Sequence, residues 1–168
     1  DREGGLLDRP AAHTIEGLLQ FIARPFSRHH AAWVARSSLI GFDDDRLQEF
    51  IYNSSKDENL LIRLSNFTVN GRQKELVQRW IDLSSSGRII DLLEETIDRS
   101  DILISYPDIV SRQDIEQIID IIRSLSREVG GDPIIIADTI RNLRESSGNA
   151  LEAVTIPPSD AVRVMTIH

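Results

Sequence analysis

The sequence predicts an all-α fold, an irregular multi-helix domain with short extended stubs at both termini. Three observations carry this expectation. Apolar residues recur at three- and four-residue spacing through most of the chain, which marks helices with one buried face. Ser, Asn and Asp caps, prolines and a Gly-Gly pair punctuate those segments at intervals that suit short helices. One run near the end, "AVRVMTI", reads instead as a buried strand, and nothing else in the chain offers it a sheet. The expected organisation is a stub over 1–9, a helical domain over 10–156 and a strand with its continuation over 157–168.

The elements follow in order. Asp8-Arg9-Pro10 opens a first helix with Ile15, Leu18, Leu19 and Ile22 on one stripe. Arg24-Pro25 ends it, because a proline disfavours helix at the residue before it. Ser27 caps a second helix carrying Trp33 and Val34, and Leu39-Ile40-Gly41-Phe42 forms a turn. Asp43 caps a third helix with Leu47, Phe50 and Ile51 inward; a short helix with Leu60, Leu61 and Leu64 comes next. Asn70 and Gln73 have capping-box spacing ahead of Leu76, Val77, Trp80 and Ile81. Ser86 is the expected start of a helix through Ile89, Ile90, Leu93 and Ile97, and Tyr106-Pro107-Asp108 is a turn. Ser111 with Asp114 reads as a second capping box. It opens the most strongly periodic helix, with Ile115, Ile118, Ile119, Ile122, Leu125 and Val129. Gly130-Gly131 closes that helix, and Asp132-Pro133 starts the last one. "SSGNA", 146–150, reads as a loop, and Pro157-Pro158 breaks the chain before the strand.

A chain of 168 residues is long enough to bury a sizeable core. No apolar run approaches the roughly 20 residues a membrane helix needs. The first residues have no apolar signal-peptide core, and cysteine is absent, which together fit a reducing cytoplasm. The chain does not begin with methionine, so a piece of a longer protein is expected. The net charge of −8 argues against a dedicated nucleic-acid binder. Yet all basic residues except Lys56 and Lys74 are arginine. Arginine suits bidentate contacts with phosphate and carboxylate; codon bias of a GC-rich genome gives the same skew.

Several constellations carry competing readings. "IIIAD", 134–138, resembles a strand ending in a metal-binding carboxylate, but Pro133 and the spacing of Ile136, Ile140 and Leu143 favour helix. Asp43-Asp44-Asp45 lacks the glycine and glutamate of a calcium loop and suits the positive end of a helix dipole. His29 and His30 are adjacent, so on a helix they point about 100° apart and chelate a metal poorly. "RPFSRHHAAWVAR", 24–36, is a local basic cluster, read either as a contact for phosphate or an acidic partner or as a solvated helix face. No phosphate-binding loop, nucleophile elbow or zinc spacing is present, so this chain is not expected to hydrolyse ATP or to hold a cofactor itself.

The strand leading to Thr166-Ile167-His168 resembles the opening of a motif in the UvrD/RecB/AddA family of superfamily 1 DNA helicases, where a hydrophobic strand runs into Thr-x-His and a Lys-Gly-Leu-Glu segment. "GGLLDRPAAHTIEGLLQFIARP" is similar to the family segment in which Gly-Gly precedes two apolar residues, an acid, an arginine and a helix. Arg36-Ser37-Ser38-Leu39-Ile40-Gly41 before Asp43-Asp44-Asp45 is similar to a segment of AddA-like members. The matches keep the family's order and cover roughly a third of the chain.

The resemblance implies a particular piece: the helical second accessory domain (2B) inserted in a RecA-like motor domain, with stubs of the motor at both ends. Those stubs should lie close in space. The parent would couple ATP and Mg2+ to translocation on single-stranded DNA and to duplex unwinding, in DNA repair or recombination. Its partners would be DNA and a subunit of a helicase–nuclease complex, with no membrane. By resemblance Thr166 and His168 lie by the DNA path, the hydroxyl bonding phosphate and the imidazole donating or stacking. The alternative for Thr166 is a local backbone cap. Gly41 closes Leu39-Ile40-Gly41, the counterpart of the glycine-apolar-glycine turn that in UvrD-like members grips duplex DNA, and Arg36, which opens the same segment, is the other expected DNA contact. Leu39 stands where that turn has its first glycine, which points to the RecB/AddA branch. A stand-alone helical interaction or regulatory module is the competing expectation; it explains the acidity but neither the strand nor the Gly-Gly segment.

Overall fold

A computed structural model describes residues 5–146. Among them are one 3-10 turn, Leu6–Asp8, and nine α-helices: α1 (Pro10–Ala23), α2 (Arg28–Arg36), α3 (Asp44–Tyr52), α4 (Leu60–Phe67), α5 (Gly71–Ser85), α6 (Ile89–Arg99), α7 (Ile102–Ser105), α8 (Ile109–Val129) and α9 (Pro133–Ser146). The all-α expectation therefore holds, and no strand occurs among the described residues. The run 159–168, the 157–168 segment as a whole and most of the 146–150 loop lie outside the described residues.

The first helix is the centre of the molecule. The sequence shows one apolar stripe on α1, but every residue from Ala11 to Ala23 except His13 is buried. A helix buried all round needs neighbours on every side. α1 has them in α2, α8 and α9. Leu6 and Leu7 of the preceding turn are buried in the same core. The part of the 1–9 stub that is described is thus a 3-10 turn packed on the helical domain. Arg9 ties this start to α8 through Asp114, 2.5 Å away.

α2, α3 and α4 form one flank. Phe42, Phe50 and Phe67 meet there at 5.4–5.9 Å between ring centroids, with Arg46 over Phe67 at 4.3 Å. α5 and α6 form the other. Trp80 is fully buried, its indole N–H donating to Thr96 Oγ1 at 2.7 Å, and the Thr96 hydroxyl donates to the Leu92 carbonyl. A buried indole N–H without a partner would be costly, so this contact fixes the register of α5 on α6. The loops after α5 and α8 touch: a Cβ at Gly131 would stand 2.1 Å from the Gly87 carbonyl oxygen.

Three expected helix signals resolve differently. Asn70 caps α5 through the Arg72 amide, but Gln73 does not complete the box; its amide donates to the Ile40 carbonyl at 2.6 Å instead. Ser86 does not start α6. It terminates α5, its hydroxyl donating to the carbonyls of Asp82 and Leu83. α8 begins before Ser111: Asp108 is its cap, accepting from the Ser111 amide, and Asp114 is buried in the helix interior against Arg9. A tertiary partner takes Gln73, an earlier cap takes the role of Ser111, and α6 begins after Arg88 with no side-chain cap. "IIIAD" is helical, with Ile136 and Ala137 buried on α9.

Candidate functional site

α9 runs antiparallel to α1. Arg24, at the end of α1, pairs with Asp138 near the start of α9; Gln20 donates to the Ala137 carbonyl at 2.8 Å; Arg144, near the end of α9, faces Glu16 at 3.3 Å. This pairing, with α2 alongside, leaves an open cleft of about 360 Å³ between the three helices. α1 gives it His13 and Gln20, α2 gives His29, His30 and Trp33, and α9 gives Arg141 and Arg144.

Local sequence explains the α2 positions. Ser27 caps α2 by accepting from the His30 amide, which sets both histidines in the first turn. Trp33 follows one turn on. Its ring rests directly on Gly17 of α1, where a Cβ would stand 2.7 Å from Trp33 Cε2. His13 packs on the same indole at 4.4 Å between centroids.

Charge is unevenly matched around this cleft. Asp138 Oδ1 accepts from both Arg24 (2.5 Å) and Arg141 (3.1 Å), so one carboxylate answers two guanidiniums. Beneath His13 lies Glu16, fully buried, with neither carboxyl oxygen in a hydrogen bond; Arg144 stands beside it as an ion pair without hydrogen-bond alignment. Burial pushes the Glu16 carboxyl above its ordinary range, with Arg144 opposing. Burial also holds the imidazoles of His13 and His30 below the usual histidine value, helped by Arg144 at His13 and by His29, Arg24 and Arg141 at His30. His30 Nδ1 is buried without a hydrogen-bond partner.

The expected site residues fall elsewhere. Arg36 and Gly41 sit together at the corner between α2 and α3, about 10 Å along α2 from His29. Arg36 is exposed and pairs with Asp44 at 3.0 Å. Gly41 has a φ of 77°, a left-handed conformation that side chains resist. The amides of Leu39, Ile40, Gly41 and Phe42 all donate within the chain, to Ser37 Oγ, the Ser37 carbonyl and the Ala35 carbonyl. A phosphate at this corner would meet the Arg36 side chain rather than those amides. Thr166 and His168 lie outside the described residues.

Asp43, Asp44 and Asp45 form the cap and first turn of α3. No group of three or more His, Cys, Asp or Glu among the described residues is placed to hold a metal ion. No helix among them is long and apolar enough to cross a membrane. The chain matches no protein-family model, no curated protein and no solved structure.

The basic segment 24–36 was legible in the sequence as a cluster, but its partners Arg141 and Arg144 were not. They lie more than a hundred residues away, and the α1–α9 register alone brings them in. Glu16 was also missed. An acid at its position on an otherwise apolar helix is the signal that points to it.

Proposed function

We propose that this chain is the helical accessory domain of an ATP-dependent DNA helicase of the UvrD/RecB/AddA type, which moves on single-stranded DNA and opens duplex in repair or recombination. The observation that supports this reading is the antiparallel pairing of the first and last described helices. An inserted domain must leave its host and return beside the point of departure. Arg144 reaches Glu16, one and a half turns into α1, so α9 delivers the chain back to where α1 begins. Beside that observation stand the Gly-Gly segment before α1 and the Thr-x-His ending of the sequence. In this reading Thr166, His168 and Arg36 serve DNA contacts, and ATP and Mg2+ belong to the motor outside this chain. The domain itself shapes the route of DNA and partner contacts within a cytoplasmic enzyme.

A second reading, a stand-alone interaction module, is favoured by exposed apolar side chains around the α7–α8 turn. Ile104 and Ile109 are each 74 % exposed and Val110 is 43 % exposed. The coding sequence on both sides of the chain separates the two. The helicase reading expects a phosphate-binding loop upstream of Asp1 and a Lys-Gly-Leu-Glu continuation after His168. A stop codon directly after His168 would overturn it.

A further inference from the structure

We propose that the cleft between α1, α2 and α9 binds a nucleotide unit, with the base against Trp33 and the phosphate on Arg141. The inference stands on the cleft and is independent of the helicase reading.

Arg141 lines the α9 side of the cleft. It gives an N–H to Asp138, but Asp138 is shared with Arg24, so two guanidiniums face one carboxylate. The remaining donors of the guanidinium fork are matched in geometry to phosphate oxygens. His29 and His30, at the opposite wall, add ring N–H donors, and His29 is exposed. Ring N–H donors beside two guanidiniums that share one carboxylate form a donor-rich surface for an anion.

Positive charge alone does not define the ligand; Trp33 narrows it. The indole is half-buried, lines the cleft, rests on Gly17 and packs against His13, which lines the cleft with it. A fixed aromatic face beside a guanidinium is the pairing that proteins use for a base and its phosphate. A bare phosphate would leave the indole unused, and an uncharged aromatic would leave the charge unused. The volume of about 360 Å³ lies at the lower end of the range for small-ligand clefts, which suits one nucleotide unit. The unit has two possible sources, a free mononucleotide or one residue of a single strand, and both present the same chemistry.

The test uses the full 168-residue chain labelled with fluorotryptophan, which gives one fluorine signal each for Trp33 and the buried Trp80. It is titrated with thymidine monophosphate, a short oligothymidylate and inorganic phosphate. The expected result is a shift of the Trp33 signal with both nucleotides, with Trp80 unmoved. Equal affinity for the two assigns the site to free nucleotides; much tighter binding of the oligomer assigns it to a strand. Arg141→Gln should weaken binding about tenfold, the loss of one charge-assisted contact. His29→Ala, at an exposed position, should weaken it by a smaller factor. No movement of Trp33 with either nucleotide overturns the proposal. So does undiminished binding in both variants, or full competition by inorganic phosphate at the same concentration.

Discussion

Gly17→Ala tests the seat of Trp33, on which the cleft depends. Gly17 is buried in the middle of α1, where alanine is preferred over glycine by about 1 kcal/mol on helix propensity alone. The new Cβ would lie 2.7 Å from Trp33 Cε2, 3.0 Å from Cδ2 and 3.1 Å from Nε1. Carbon atoms rest at about 3.5–4.0 Å, so the indole must retreat by about 1 Å. Such overpacking typically costs about 1–3 kcal/mol. The two effects oppose, and the net change should be a loss of about 0–2 kcal/mol. The more specific readout is the ring. Trp33 is half-buried on α2 and borders the cleft, whereas Trp80 is fully buried and donates to Thr96. Denaturant unfolding gives the stability, and fluorine NMR of fluorotryptophan protein gives the two indoles separately. The expected result is a displaced Trp33 signal with Trp80 unchanged. A variant about 1 kcal/mol more stable with Trp33 unmoved would show that the indole does not rest on Gly17, and the cleft as described would be wrong.

Other perturbations read other parts of the fold. Glu16→Gln should raise the melting temperature at pH 7. The folded carboxyl titrates above its ordinary value of 4.5, so its stability contribution is complete below that pH and is lost as pH rises through the folded value. The gain should therefore vanish in melts run below pH 4.5, and a lower melting temperature for the variant at pH 7 contradicts this account. Gly131→Ala should destabilise by roughly 1–3 kcal/mol in urea unfolding, because its Cβ would collide with the Gly87 carbonyl, which is backbone and has no rotamer to yield. Asn59→Ala removes the side-chain acceptor for the Leu61 and Ile62 amides and should cost about 1 kcal/mol by the same measurement. Trp80→Ala should cost about 3–5 kcal/mol; a value under 1 kcal/mol would mean the α5–α6 contact is not packed as described.

Much of the helical layout was legible because caps and prolines act locally. Ser27, Asp43 and Asp132 each accept from a first-turn amide where the sequence put the cap. Two of the misreadings share a cause. Gln73 and Asp114 have capping-box spacing, yet each finds a stronger partner across the fold, the Ile40 carbonyl and Arg9. Spacing cannot show a partner 33 or 105 residues away. The arginine skew has a structural side that was also hidden. Arg46 and Arg63 donate to the carbonyls of Phe67 and Phe50, Arg28 donates to that of Ser54, and Arg79 grips Glu95 with two bonds of 2.8 and 2.6 Å. A planar fork serves these interhelical ties better than an ammonium does. The cleft was half visible: the histidines and Trp33 lie in one stretch of sequence, but Arg141 joins them only through the antiparallel packing of α9 on α1.

The helicase reading makes its most direct claim about the product of the whole coding sequence. ATP turnover by that product, measured with and without single-stranded DNA, tests it. The expected result is turnover that rises when single-stranded DNA is added, and none from the 168-residue chain alone. A whole product that does not hydrolyse ATP, or robust hydrolysis by this chain in pure form, would contradict it.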